Sequence, residues 1–421
     1  MPSERLIIEN FKGISHLDLE VKPFTVLIGP QSVGKSVVAK LLYFFKTLPL
    51  QVFYAAIRNS ESSLDSQMLD RFGKLLPPPN RMAGKSAVRY SIGDATFSLS
   101  DDGDDNATWK IELPPFLQAE FLRIKAEFSD LAKKEQEAGS FADLPPLRIS
   151  LQNGFAKNLE KRLGERSSTS VWFIPAGRSF YSQIERDVVS FFESANLDPF
   201  LGLYGRFLPH LKESVEFRSA NRWKTTKLAG ELTESLLSGK YEREGQKDFI
   251  NVKDGRRLPP ALWSSGQQES LPLALHMRRW IEGILQPGER IGLFIEEPEA
   301  HLFPASQRIM MELIALAFNS APRGTNIFIT THSPYVLSTL NVLLKAGQLF
   351  QQSPAPANHA AIERIVPELE ALAPGTAGAY YMDRSKCRSI MDAETGLIDG
   401  RAIDDVSGEL AEQFDALNDL K

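Results

Sequence analysis

Cysteine is almost missing from this chain: Cys387 is the only one in 421 residues. That excludes an internal disulfide and a cysteine-rich zinc site, and it fits a reducing compartment. An excess of basic charge is missing too. Lysine and arginine number 48 against 53 acidic residues, a formal net charge of −5, so the chain as a whole lacks the footprint of a nucleic-acid binder, while a local basic face stays open. No apolar run approaches the length of a membrane span, and Met1-Pro2-Ser3-Glu4-Arg5 lacks the apolar core of a signal peptide. The expectation is a cytoplasmic protein without membrane contact. No internal repeat appears at solenoid or propeller periods. Hydrophobic residues at 43% and charged residues at 24% are ordinary globular values, which excludes wholesale disorder.

What is present centres on Gly29-Pro30-Gln31-Ser32-Val33-Gly34-Lys35-Ser36, which fits the phosphate-loop pattern G-x-x-x-x-G-K-[ST]. Phe24-Thr25-Val26-Leu27-Ile28 before it has the composition of a buried parallel strand, and residues 37–45 after it read as a helix. Gly29 and Gly34 allow a tight turn that aims backbone N–H groups at phosphate oxygens, and the helix N-terminus adds partial positive charge. Lys35 would reach the β- and γ-phosphates of ATP, and the Ser36 hydroxyl would ligate Mg²⁺. A chance glycine turn lacks a reason for these flanks.

A second chemical centre lies at residues 291–299, where the apolar strand Ile291-Gly292-Leu293-Phe294-Ile295 runs into Glu296-Glu297-Pro298-Glu299. The carboxyl end of a parallel strand is where ligands of open α/β sheets bind. Successive strand residues point in different directions, so Glu296 is expected to hold Mg²⁺ and Glu297 to act as general base toward water. Asn326-Ile327-Phe328-Ile329-Thr330-Thr331 is a further strand that ends at His332. There His332 could position water or sense the γ-phosphate. Between these centres, Trp263-Ser264-Ser265-Gly266-Gln267-Gln268 opens an apolar helix. Ser264, Ser265, Gly266 and Gln267 form either a second anion-binding turn, closing over nucleotide held by another copy, or a plain helix cap.

The remainder is less specific. Residues 5–28 read as three short strands, and residues 90–113 as antiparallel strands with an acidic turn at 101–106, which is a solvated hairpin tip and not a calcium loop. Residues 116–138 and 155–164 read as charged helices, residues 171–174 as an apolar strand, and residues 181–194 and onward to about 234 as further helices. Arg218, Arg222, Lys224 and Lys227 surround Trp223 with no acid nearby, an arrangement open to nucleic-acid contact or to a solvated face. Residues 379–398 read as a small strand-rich extension and 406–420 as an amphipathic helix.

The order of these motifs resembles the ATP-binding-cassette heads of the RecF, SMC and OLD (overcoming lysogenization defect) ATPases. The likeness is carried by the phosphate loop, Ser264-Ser265-Gly266-Gln267-Gln268, Glu296-Glu297-Pro298-Glu299-Ala300-His301-Leu302 and Thr331-His332-Ser333-Pro334, with Ile8-Glu9-Asn10-Phe11-Lys12-Gly13-Ile14 at the start. The resemblance implies that Gly29 to Ser36 form Walker A and that Ser264 to Gln267 form the signature loop facing ATP of the opposite subunit. It further implies that Glu296 ends Walker B, that Glu297 is the hydrolytic base, that Ala300, His301 and Leu302 begin the D-loop and that His332 is the switch histidine. Trp263 and Ser265 depart from the transporter signature, and Glu296 stands where aspartate is commoner. Gln183 is the candidate Q-loop glutamine, and Arg178 is open between a phosphate contact and a structural ion pair. Given the short stretch after His332, a fused nuclease of the OLD type is not expected.

The expected fold is therefore α/β: an ABC-type P-loop NTPase head with a mixed or parallel sheet, an antiparallel β subdomain and an inserted helical lobe. The expected division is 1–115 and 258–345 for the head, 116–257 for the lobe and 346–421 for a C-terminal extension. The implied function is a standalone OLD-like ATPase using ATP and Mg²⁺. It would close as a homodimer around ATP and control a separately encoded effector, or DNA or RNA processing, in phage defence. The rival is a RecF- or SMC-like DNA clamp, and a transporter ATPase ranks behind both.

Overall fold

The computed structural model describes residues 4–58, 62–77, 84–101, 109–138, 144–164, 167, 170–183, 198–213, 223–282, 290–352, 356–384 and 386–399. The chain opens with β1 (Glu4–Phe11) and β2 (Ile14–Glu20), each presenting one buried face. β3 (Phe24–Ile28) is buried at every residue and leads through the glycine loop into α1 (Lys35–Ile57). Next come α2 (Leu64–Leu75), β4 (Ser86–Ile92), β5 (Ala95–Asp101) and β6 (Lys110–Glu112). They are followed by α3 (Pro115–Ala138), α4 (Leu144–Leu163), β7 (Ser170–Ile174), α5 (Phe180–Gln183), α6 (Pro199–Glu213) and α7 (Trp223–Leu237). β8 (Gly239–Glu244), β9 (Lys247–Val252) and β10 (Arg257–Leu258) precede α8 (Ser265–Ile281), β11 (Ile291–Glu296), α9 (Pro304–Ser320) and β12 (Asn326–Thr331). α10 (Pro334–Gln352), α11 (Pro356–Glu363) and the hairpin β13 (Ala377–Met382) and β14 (Cys387–Ser389) complete the described elements.

The strands form three sheets. The largest has the order β14-β13-β3-β12-β11-β7; β13, β3, β12, β11 and β7 run parallel, and β14 pairs antiparallel at one edge. A second, wholly antiparallel sheet has the order β2-β1-β4-β5-β6, and a third joins β10, β9 and β8. This is the mixed α/β architecture with an antiparallel subdomain that the sequence leads one to expect.

Alternation along the parallel strands divides their side chains between two cores. Phe173, Phe294 and Phe328 stand in register across β7, β11 and β12, and Tyr43 of α1 meets the first two edge-on at 5.7 and 6.1 Å. This face joins α1 and the antiparallel sheet in one cluster that includes Leu6, Phe44, Phe45 and Phe97. The other face presents Val26, Ile295, Ile329 and Ala379 to Leu273, Met277, Leu313 and Leu337 of α8, α9 and α10. Both faces of each central strand are covered, which is why their sequences are near-continuous apolar runs.

Three placements differ from expectation. α1 continues past residue 45 to Ile57 with Pro49 inside it. At 23 residues it is long and apolar enough, by length and composition, to cross a membrane, contrary to the expectation that no such run exists. Most of its residues are buried inside the protein, because a helix packed between two sheets is covered on nearly every side. The strand expected at 171–174 forms as Ser170–Ile174, but although it lies within the 116–257 stretch expected as the lobe it takes the edge of the parallel sheet, where its Trp172, Phe173 and Ile174 find apolar partners on both faces. Ala377–Met382 falls within the expected C-terminal extension and pairs directly with β3. Its small Ala377, Gly378 and Ala379 permit that close fit; a Cβ on Gly378 would stand 2.9 Å from Lys22 Cγ.

Register also fixes where the strands end. Glu296 pairs with Thr330, and Thr331 pairs with Ile28, so β3, β12 and β11 present their carboxyl ends at one level. β12 lies between the other two, which sets His332 between the glycine loop and the paired glutamates.

Candidate functional site

The glycine loop is bound to the sheet before it meets any ligand. A Cβ on Gly29 would lie 1.9 Å from the Met382 carbonyl oxygen, so close backbone approach between β3 and β13 demands glycine there. Gly34 caps α1 with φ 103°, a left-handed conformation that favours glycine. Lys35 turns back on its own loop: Nζ donates to the carbonyl oxygens of Gly29 at 2.7 Å and Pro30 at 2.6 Å, and lies 3.3 Å from His332 Nδ1. Burial pushes the Lys35 ammonium down to about 8, against the upward pull of the Glu297 and Glu299 carboxylates.

Ser36 Oγ donates to Glu296 Oε1, and Glu296 Oε2 accepts from the Ala176 amide at 3.4 Å. The Glu296 side chain is buried, which pushes its carboxyl up; the Ser36 bond draws it part of the way back. A serine hydroxyl and a carboxylate oxygen in contact are a hard-oxygen pair. They fit Mg²⁺, which takes one or two protein ligands and completes its shell with water and phosphate. Among the described residues no cluster of three or more His, Cys, Asp or Glu offers an all-protein metal site.

Glu297 leaves the strand in a left-handed conformation, φ 45°, and its carboxylate is 40% exposed. His332 Nε2 stands 3.4 Å from Glu297 Oε1. Nδ1 of the same ring faces the Lys35 ammonium, which can only donate, so the ring proton belongs on Nε2 and points to Glu297. The His332 backbone is itself held. Its amide and the Thr331 hydroxyl both donate to Glu299 Oε1 at 2.7 Å.

These groups surround a cleft of about 390 Å³ lined by Ser32, Gly34, Lys35, Ser36, Glu296, Glu297 and His332. Gln31 faces solvent and Val33 is buried in the core; Pro30 contributes its carbonyl to Lys35. Ser264, Ser265, Gly266 and Gln267 do not line this cleft. They form a capping box at the start of α8: Ser264 Oγ accepts from the Gln267 amide at 3.2 Å, and Gln267 Oε1 accepts from the Ser264 amide at 2.9 Å. The helix-cap alternative is thus what the turn does within one chain. Gly266 also packs closely on the next loop, since a Cβ there would lie 3.1 Å from the His301 carbonyl oxygen.

Two residues gain weight from the structure. Lys12, in the turn between β1 and β2, reaches the rim of the cleft; only its place in the motif Asn10-Phe11-Lys12-Gly13 hinted at this. Arg178 is fully buried and bonded to protein carbonyls and Glu269, which makes it the structural ion pair and not a phosphate contact. Of the basic stretch, Lys227 pairs with Glu231 at 3.7 Å, while Arg218 and Arg222 lie outside the described residues. So do the acidic run at 102–106, the Gln183 side chain and residues 406–420.

A glycine loop between a buried strand and a helix, with paired glutamates and a histidine at the ends of neighbouring parallel strands, defines an ATPase-type P-loop NTPase head. Within that class, residues 24–338 match the family described as "AAA domain, putative AbiEii toxin, Type IV TA system", and the chain belongs to it. No curated protein matches the chain. Among solved structures it is similar to the SMC head domain from Thermotoga maritima, with 14% identity over 80% of this chain and 92% of that one, TM-score 0.35. It is also similar to the Smc head domain with an extended coiled coil bound to the C-terminal domain of ScpA derived from Pyrococcus furiosus, with 14% identity over 93% and 96%, TM-score 0.38. A third is the recombination mediator protein RecF-ATPrS in the RecFOR pathway, with 12% identity over 93% and 98%, TM-score 0.32. At those scores the superpositions add nothing to the strand order and loop geometry described above.

Proposed function

We propose that this chain binds ATP with Mg²⁺ across Gly29 to Ser36 and hydrolyses it to ADP and phosphate, as an OLD-like head working in pairs. The observation that carries the reading is the convergence of Lys35, Ser36, Glu296, Glu297 and His332 on one open cleft. ATP would draw the Lys35 ammonium off the Gly29 and Pro30 carbonyls and onto the β- and γ-phosphates. Ser36 and Glu296 would hold Mg²⁺, which supplies positive charge to the phosphate oxygens. Glu297, partly exposed on the cleft, would take the proton of the attacking water, and His332 Nε2–H would orient that carboxylate.

The turn at Ser264 to Gln267 supports a composite site. Its residues 264 and 265 are exposed and sit away from their own cleft, as suits a surface that closes over the nucleotide of a second copy. ATP binding would join two heads and hydrolysis would release them. We assign the output to a separately encoded effector protein, or to DNA or RNA handled by one, in phage defence. The test is ATP binding and phosphate release by the purified chain beside Lys35→Ala. The reading expects the variant to lose at least about tenfold in ATP affinity and all hydrolysis. Wild-type protein that binds no ATP, or a variant that binds as well as wild type, overturns it.

A further inference from the structure

Arg178 and Glu269 are far apart in sequence and are buried together behind the cleft, with exposures of 0% and 1%. The Glu269 carboxylate receives three donors from one turn: the Arg178 amide at 2.9 Å, the Ser179 amide at 2.7 Å, and Arg178 Nη2 at 3.2 Å. The rest of the guanidinium is spent on main-chain carbonyls. Nε donates to Glu269 O at 3.1 Å, and Nη1 to Pro175 O at 2.9 Å and Glu296 O at 2.7 Å. Nη2 also donates to Glu297 O at 2.8 Å. One side chain thus ties the turn after β7, the first turns of α8 and the end of β11.

The bonds to residues 296 and 297 bear on chemistry. Glu297 is a non-glycine residue in the left-handed region, which an L-residue occupies only when its surroundings enforce it. The enforcement is visible on both sides. The Glu297 amide donates to Thr330 O at 2.9 Å, and its carbonyl accepts from Arg178 and from the Ala300 amide at 3.1 Å. Arginine is the side chain suited to this work, because its planar fork reaches several acceptors at once and a lysine ammonium cannot. A pair serving the fold alone would have no need to aim at the carbonyls of the two cleft glutamates.

The geometry points to Arg178, held by Glu269, as the positioning residue for Glu297, through which the helix capped by Ser264 and Gln267 and the cleft carboxylate move together. A displacement of the start of α8, as when a second copy engages Ser264 to Gln267, is then transmitted through Glu269 and Arg178 to the carbonyl of Glu297 in the same chain. This rests on the reading of Glu297 as the base, and it adds a route by which engagement of one surface sets the alignment of another.

The test compares Arg178→Lys, Glu269→Gln and the double variant with wild type in ATP hydrolysis, ATP binding, thermal melting and hydrogen–deuterium exchange. Each single variant should lower kcat by about tenfold or more while KM for ATP stays within about threefold, since misplacement of a catalytic group acts on the reaction step. The double variant should lose little beyond the worse single one, because the two residues act as one unit. Exchange should quicken in peptides covering 295–302 and remain as in wild type over 28–40. An unchanged kcat in folded variants overturns the inference. So does exchange that quickens equally over both segments, or failure of both single variants to fold, either of which assigns the pair to general stability. The exchange arm needs no turnover, so it judges the strap even if the wild-type chain hydrolyses nothing, an outcome that would instead overturn the ATPase reading.

Discussion

The Ser36 hydroxyl donates to the Glu296 carboxylate across 260 positions of sequence. That bond joins the first turn of α1 to the end of β11, and it sets two hard oxygen atoms side by side in the lining of the cleft.

Ser36→Ala removes one of the two oxygens and takes from the buried Glu296 the hydroxyl that restrains its raised carboxyl. ATP affinity measured with Mg²⁺ should fall by about tenfold, the worth of roughly one strong ligand bond, while affinity in the presence of a chelator changes little. Equal losses under both conditions would separate Ser36 from the metal.

Lys35 gives a pH dependence with a definite sign. In the free chain its ammonium is lowered to about 8, and triphosphate charge beside it should restore it toward the ordinary lysine range. Below pH 8 the group is charged before and after binding, so it contributes no slope. Above pH 8 binding must take up a proton, and ATP affinity should fall by up to about tenfold per pH unit. Calorimetry at pH 8.5 in two buffers of different ionisation enthalpy should show net proton uptake, absent in Lys35→Ala.

Gly29 has no room for a side chain. Gly29→Ala would press a methyl against the Met382 carbonyl, 1.9 Å away, and should cost about 1–3 kcal/mol in denaturant unfolding. Gly154, at an ordinary helical φ and with nothing within 4 Å of an added Cβ, is the control position for crowding. A neutral Gly29→Ala would mean that β13 does not clasp the loop.

Glu299 holds the backbone that carries His332. Glu299→Ala leaves the Thr331 hydroxyl and the His332 amide without their acceptor and should cost about 2 kcal/mol or more. Glu299→Gln can keep its oxygen on both donors and should cost less than about 1 kcal/mol. Its amide nitrogen would replace Oε2, which is buried with no hydrogen-bond partner among the described residues. Equal losses in the two variants would remove the acceptor role.

Much of this site was legible because its signals are local. Glycine, lysine and serine at fixed spacing, and an apolar run that ends in acids, carry their chemistry within a few residues. The capping box was legible as an alternative for the same reason, since Ser264 and Gln267 stand three apart. What escaped was long-range pairing. Strand character was read from residue 379 onward, but nothing local in Ala377-Gly378-Ala379 names its neighbour, and only the fold shows that it lies against β3. The turn at Arg178 was visible, but the carbonyls it serves belong to a strand that arrives much later in the chain. α1 outran its expected end at residue 45 because its buried face continues through Leu48, Val52, Phe53 and Ala56, tertiary packing that carries the helix on through Pro49.

The central claim is that ATP joins two copies through a site that one copy cannot complete, and Glu297→Gln tests it most directly by arresting hydrolysis with the cleft intact. Light scattering of that variant with ATP and Mg²⁺ should show the mass rise from 47.0 kDa to twice that value, while Lys35→Ala stays at the lower mass. A Glu297→Gln chain that binds ATP yet remains monomeric would contradict the account.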